Sequence, residues 1–419
     1  MSSRAPALLC VFLLTSCLTN CASERDVAPL TSGNPVAPIV RGSAGVSILE
    51  HPANARAAAP QLTVDTVPLA IIGARQDGSD DVTDVWPAFL LPDDAIAFWH
   101  DQRAQLVIYE PDGRLRRRVG RRGQGPEDFG SIGAIGVSGD TLLVPDFGND
   151  RLSLYDASLN RVGVLRGVRA CETSSPIGRL PGGDIVGYDG WVFRPAAFSD
   201  TVVRPPTELV RFDGSRCDTL RTLPGRELRV VETRRRGRPH TQSMLLHFGR
   251  MSAAAVWDTL VAVGTADDYR IDLLGSRGSI VKSIRADFAP VPVPAGARDT
   301  IIAREMAQLR GPGSERRIDP IEDERLVREA TFVADSATVY ERFLVSASRL
   351  LWVIEGWAPG MPERSATAFR ADGSIAAYLR LPSGLMPMAF GSDRVLVRTE
   401  DPETGIVTLR SLRLVPRRP

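Results

Sequence analysis

Lysine is all but missing from this chain: of its 51 basic residues only Lys282 is not an arginine. Histidine is scarce too, at four in 419 residues, which leaves little material for histidine-built metal or acid–base motifs. Acidic residues number 50, so the formal charge is +1. No global field draws such a chain to nucleic acid, which is excluded as a partner on that ground. There is no Cys-x-x-Cys and no Gly-x-Ser-x-Gly, so thiol redox chemistry and elbow-type serine hydrolysis lack their usual marks. The glycine-rich stretch 117–130, RRVGRRGQGPEDFG, is not a phosphate loop either. Gly120, Gly123 and Gly125 fit neither nucleotide spacing, no Lys-Ser/Thr pair follows, and the next residues, SIGAIGVSGDTLLVPD, alternate like strands instead of opening a helix. The stretch joins strand to strand.

What is present is an ordinary globular composition, 43% apolar and 24% charged. The first residues, MSSRAPALLCVFLLTSC, carry one positive charge, an apolar run too short to span a bilayer, and a cysteine. They predict an export leader over 1–17. Leu14-Thr15-Ser16-Cys17 resembles the bacterial lipobox, which implies lipidation of Cys17 and a membrane partner reached through a lipid anchor at the cell envelope. Residues 18–60, rich in Ala, Pro, Gly and Ser, predict a flexible tether. Cys171 and Cys217 are the remaining cysteines of the body. In an oxidising compartment they stand either as a disulfide or as two buried thiols.

Beyond the tether, strand signals recur. DDAIAFWHDQRAQLVIYEPDGRLRRRVG from Asp93 and GDTLLVPDFGNDRLSLYDASLNRVGVLRG from Gly139 align 46 residues apart, and weaker copies begin at Asp184, Asp258, Ser348 and Asp393. Six units at this spacing, with four strands each, predict an all-β fold: a six-bladed β-propeller over 61–419. Residues 297–334 hold apolar positions at helical spacing and predict a short helical insert between blades 4 and 5. The strand LTVDTVPLAII, residues 62–72, has no partner nearby and is expected to complete the last blade, removing its free edge.

The stretch GRRGQGPEDFGSIGAIGVSGDTLLVPDFGNDRLSLYD resembles the six-bladed NHL-repeat propellers found as exported bacterial lipoproteins. Gly123, Gly125, Pro126 and Phe129 match that family's blade-to-blade crossing, and Asp146, Asn149, Arg151 and Leu152 match its hairpin. The resemblance implies a fold and an exported location, not one activity.

Aligning the repeats brings His100, Asp146, Asp189 and Glu355 to one register, expected to line one rim of a central channel. Two readings follow. One is a hard-cation site, Ca²⁺ for example, built from Asp146, Asn149, Glu355 and Asp189. With His100 as acid or base it would resemble the lactonase- and esterase-like propeller hydrolases, a metal-dependent hydrolase or lyase. The other is that strands end in polar residues because they end in water, and the protein is a cell-envelope binding scaffold for a protein, peptide or glycan. Trp191 and Trp357 are then candidate binding aromatics, while Trp352 lies in an apolar strand and reads as core.

Overall fold

A computed structural model describes residues 35–73, 81–83, 85, 87–169, 171, 173–189, 200–235, 238–310, 320–401 and 405–417. Six blades follow one another along the chain to form a propeller; blades 1 to 4 are separate sheets, and blades 5 and 6 share one eight-stranded sheet. Blade 1 comprises Ala88–Leu90, Ile96–His100, Gln105–Tyr109 and Leu115–Val119, from innermost to outermost, and blade 2 comprises Gly136–Ser138, Thr141–Asp146, Arg151–Tyr155 and Arg161–Arg166. The innermost strands of the other blades are Thr173–Arg179, Ala253–Trp257, Arg342–Val345 and Met386–Phe390. Within each blade the strands are antiparallel. The repeat read from sequence covers the second to fourth strands of each blade; the innermost strand precedes it.

The ring closes as the sequence predicts. Gln61–Ile72 pairs antiparallel with Val407–Pro416 as the outermost strand of blade 6. The same strand touches blade 5 in parallel, Gln61 opposite Tyr378 and Leu62 opposite Leu379. Aromatic and aliphatic side chains fill the spaces between blades. Trp352 of blade 5 stacks on Phe390 of blade 6 at 4.1 Å, and both are buried. Between blades 1 and 2, Phe129 is buried against Trp99 at 5.0 Å and Tyr155 at 6.1 Å. Gly120 has φ +96° and lies flat against that ring, where a β-carbon would fall 2.1 Å from Phe129; only glycine serves there.

Two insertions interrupt the blade repeat, one within and after blade 3 and the other between blades 4 and 5. Val202–Val203, Leu228–Arg235, Arg238–His247 and Phe332–Val333 form a separate four-stranded sheet. Helices Ala297–Arg310 and Pro320–Ala330 lie between blades 4 and 5. Arg304 of the first helix reaches Glu400 of blade 6 at 2.7 Å, so the helix lies on the face where blade-to-blade crossings run.

The tether expected over 18–60 departs from the structure in its second half. Ile39–Ser43 and Val46–His51 extend blade 4 outward, the latter in parallel with Ile280–Ala286, and Ala55–Ala58 forms one helical turn. Small residues mask this in the composition. Leu49, Ala55 and Ala59 are nevertheless buried in the core shared by blades 4 and 5.

Candidate functional site

Asp146 ends the second strand of blade 2, not an inner strand as the aligned repeats imply, and it is fully buried. Its carboxylate accepts the backbone N–H groups of Gly130, Ser131 and Asn149 at 3.1–3.2 Å and the Asn149 side-chain amide at 2.7 Å. That amide also donates to the Gly123 carbonyl at 3.1 Å. Arg151 donates to the carbonyls of Gly125 and Asp128 and lies 3.6 Å from Asp146. The crossing loop and the hairpin of the NHL-like motif therefore clasp one another. Their conspicuous polar residues satisfy the backbone of a loop that has no ladder of its own.

Glu355 follows the second strand of blade 5 and is also buried. It forms an ion pair with Arg56 at 2.6 Å and accepts hydrogen bonds from Thr367 at 2.6 Å and Ser365 at 2.7 Å. Arg56 comes from the helical turn of the N-terminal segment. Its guanidinium lies 3.6 Å from the centre of the Phe288 ring and 4.9 Å from that of Tyr269. Burial pushes the Glu355 carboxyl above its ordinary pKa, and Arg56 with the hydroxyls of Thr367, Ser365 and Tyr378 pulls it partly back.

His100 ends the second strand of blade 1 beside Asp81, Thr83 and Asp101, around a recess of about 10 Å³. A space of that size holds one water at most. Asp189 ends its strand opposite Thr173, and its side chain lies outside the described residues, as do Cys17 and Trp191. Asp146 and Asn149 meet; Glu355 belongs to a different cluster, with Arg56. No group of three or more His, Cys, Asp or Glu side chains suited to a metal occurs among the described residues. The expected cation set does not fit a Ca²⁺ ion, because protein donors already occupy the oxygens of Asp146 and Glu355. Cys171 and Cys217 form a disulfide with their Cα atoms 5.4 Å apart, tying the approach to the innermost strand of blade 3 to its outermost strand.

A larger cavity lies elsewhere. The six innermost strands surround a central channel of about 510 Å³, within the range of small-molecule sites. Its walls mix backbone polar groups with side chains of the innermost strands; Val137, Val256 and Leu344 are half-buried along it, while Ile135 and Met388 are buried between blades. The strands approach closely: a β-carbon on Gly136 would fall 2.2 Å from the Pro176 carbonyl oxygen. Charged side chains gather where these strands end and turn into their hairpins. Arg179, Asp258 and Arg349 line that mouth, with Ser138 and Ser346.

The backbone at this mouth is unusual. In blade 3 the hairpin hydrogen bond runs from Gly183 N–H to Leu180 O, and in blade 5 the same bond runs from Arg349 N–H to Ser346 O. Gly183 has φ +101° and Arg349 has φ +59°. A left-handed backbone disfavours a residue with a β-carbon by about 1–2 kcal/mol; blade 3 has glycine there, blade 1 makes the same hairpin with Asp94 at φ +64°, and blade 5 uses arginine. Trp257 holds the loop from blade 4, donating its indole N–H to the Arg349 carbonyl at 2.8 Å. The Arg349 guanidinium stands 3.8 Å from Asp258. Sequence reasoning missed these residues because it took its register from the second strands. The hairpin position gave no clear signal, being glycine in blade 3 but Asp94 in blade 1.

No family model matches the chain, and none of the curated proteins matches it. Solved structures of similar architecture include an exported protein from Bacteroides fragilis, at 12% identity over 85% of this chain and 99% of that one, with TM-score 0.44. A member of the DUF4221 family from Bacteroides vulgatus is 10% identical over 85% and 98%, with TM-score 0.45. Virginiamycin B lyase from Staphylococcus aureus is 8% identical over 80% and 97%, with TM-score 0.36. No residue role follows from likenesses this distant.

Proposed function

We propose that this protein is an exported β-propeller that binds a small molecule in its central channel. The observation that carries the reading is the channel itself: a 510 Å³ cavity ringed by the six innermost strands, with charged side chains at one mouth. Sites of this kind bury a ligand's body on apolar surface and fix its orientation with a few polar groups. The leader with Cys17 supports export and a lipid anchor, and the Cys171–Cys217 disulfide suits an oxidising compartment. The proposed site is the channel interior, not an exposed surface for protein, peptide or glycan partners.

An enzymatic role on the channel rim, hydrolase- or lyase-like, is the second reading. It is favoured by the convergence of Asp258 with Arg349 and Arg179 at the mouth, where a carboxylate can move a proton and guanidiniums can stabilise an oxyanion. His100 and the carboxylates Asp146 and Glu355 take no part in it.

Two variants test these readings. Val345→Trp, at a lining position that is 36% exposed, places a bulky ring in the channel. A small-molecule library should shift the melting temperature of the intact exported protein and leave this variant unshifted; equal shifts in both proteins would end the channel reading. Hydrolysis of lactones or esters that disappears in Asp258→Asn would establish the enzymatic version. Turnover unchanged in that variant would refute the role given to Asp258.

A further inference from the structure

The segment from Val36 to Ala59 is an addition to a ring that closes without it. Blade 4 already has four strands, Ala253–Trp257, Leu260–Gly264, Arg270–Leu274 and Ile280–Ala286, before Val46–His51 joins its outer edge. Blade 6 is completed by Gln61–Ile72. The segment runs as a strap over the outer parts of two blades. Val36 bridges to Ile375 of blade 5, Val46–His51 pairs with blade 4, and His51 returns to blade 5, where its Nε2 meets the Gly373 carbonyl at 2.8 Å. Leu49 packs under the same glycine, where a β-carbon would fall 2.2 Å from it.

One imidazole and one ion pair hold the end of this strap, and both depend on protonation. His51 is 3% exposed, with its ring 5.9 Å from that of Phe369. Nε2 faces a carbonyl oxygen and so carries the proton, while Nδ1 is buried with no hydrogen-bond partner among the described residues. A neutral ring fits that arrangement; an imidazolium has a second N–H to satisfy and a charge to bury. Around it Glu50 pairs with Arg41, Asp372 accepts from Ser374 and Asp287 is exposed, so none of these carboxylates balances the ring. Lys282, Arg285 and Arg370, the cations of the two elements packed against it, oppose a further positive charge. Burial accordingly holds the His51 pKa below its ordinary value, and the Gly373 carbonyl pulls it partly back. Five residues on, Arg56 reaches Glu355 at 2.6 Å, a pairing that requires the carboxylate to be ionised although burial raises its pKa.

We propose that the strap is an acid-sensitive clamp on blades 4 and 5, and that protonating His51 and Glu355 undocks residues 36–59 while the ring stays closed. The reference is a folded ring with the strap released. Docking requires a neutral His51, so that contribution is complete above about 6.5 and declines as pH falls below it. Docking also requires an ionised Glu355, and that contribution declines in acid as well. Release leaves Ile280–Ala286 as the outer edge of blade 4 and lengthens the free chain ahead of the ring.

Native-state hydrogen exchange on the intact chain tests this, read as protection factors so that the intrinsic pH dependence of exchange cancels. From pH 7.5 to 5.5 the amides of Val46–His51 should lose protection about tenfold, while those of residues 395–397 in blade 6 change less than about twofold. His51→Gln keeps a donor for Gly373 and does not titrate, so its strap should lose about threefold or less. Equal losses in wild type and His51→Gln would overturn the proposal, as would strap and blade 6 amides losing protection together. That substitution can itself loosen the strap, so the wild-type imidazole is also followed by NMR. It should titrate below 6.5; a ring titrating at or above that value removes the sensor.

Discussion

Arg56 offers the sharpest test of how the N-terminal segment is held. Its guanidinium enters the seam between blades 4 and 5 and meets a carboxylate that is 8% exposed, at 2.6 Å, beneath the Phe288 ring. Arg56→Ala leaves Glu355 in that seam with hydroxyl donors, Thr367, Ser365 and Tyr378, but no cation. Removing one partner of a buried pair destabilises a protein by about 3–5 kcal/mol, because the other charge stays behind unpaired. Arg56→Lys keeps the charge but loses the planar stack over Phe288, and should lose about 1–2 kcal/mol.

The sign of the pH dependence is fixed by Glu355. Its folded-state pKa is raised by burial, and Arg56 lowers it. The folded state therefore holds the proton more tightly than the unfolded chain. That contribution is full below the unfolded value, about 4.3, and is lost as pH rises through the folded value. Without Arg56 the folded value moves higher and the window widens. The deficit of Arg56→Ala, measured by urea denaturation against wild type, should be largest at pH 7 and shrink towards pH 5. Glu355→Gln added to Arg56→Ala should recover part of it at pH 7. A single variant within about 0.5 kcal/mol of wild type, or a deficit that grows on acidification, would refute the reasoning.

Three further outcomes are expected. Asp146→Ala strands the buried N–H groups of Gly130, Ser131 and Asn149; at about 1–3 kcal/mol for each unsatisfied group, urea denaturation should show a loss of several kcal/mol, and chelator should leave the wild-type melting temperature unchanged. A fall of several degrees with chelator would restore the metal reading. Reducing the Cys171–Cys217 bridge, whose ends are 46 residues apart, should lower stability by about 4 kcal/mol on the loop-entropy estimate; identical urea midpoints with and without reductant would contradict it. Deleting 61–72 should abolish the cooperative melting transition, since blade 6 loses its outermost strand, and a truncated protein that melts at the wild-type temperature would overturn that closure.

The parts of this fold that were legible in the sequence are those where a particular side chain does a particular geometric task. Gly120, Phe129, Asp146 and Asn149 form a clasp that only those residue types build, so the first blade junction was plain. The closing strand was legible because its β-branched run had no local partner. The innermost strands were not: Ala88–Leu90 and Gly136–Ser138 have three residues each, too few to show a period. Taking the register from the longer second strands directed attention to Asp146 and Glu355, which are polar because they satisfy buried partners. Arg179, Asp258 and Arg349 were missed for the same reason. The strap at 39–58 escaped notice because alanine and glycine let a chain pack closely while leaving little periodic signal.

The closing strand also sets an order of events in time. Leu62 pairs with Pro416, roughly 350 positions later, and bringing such distant ends together costs about 5 kcal/mol of chain entropy before any contact repays it. A chain synthesised from its N-terminus exposes residues 61–72 early and holds them without their partner until the last strand emerges. Ring closure is thus confined to the end of synthesis and is slow, as for other pairings distant in sequence. During that interval the free edges of the strand Gln61–Ile72 are the places where the nascent protein is most open to pairing with a second copy of itself.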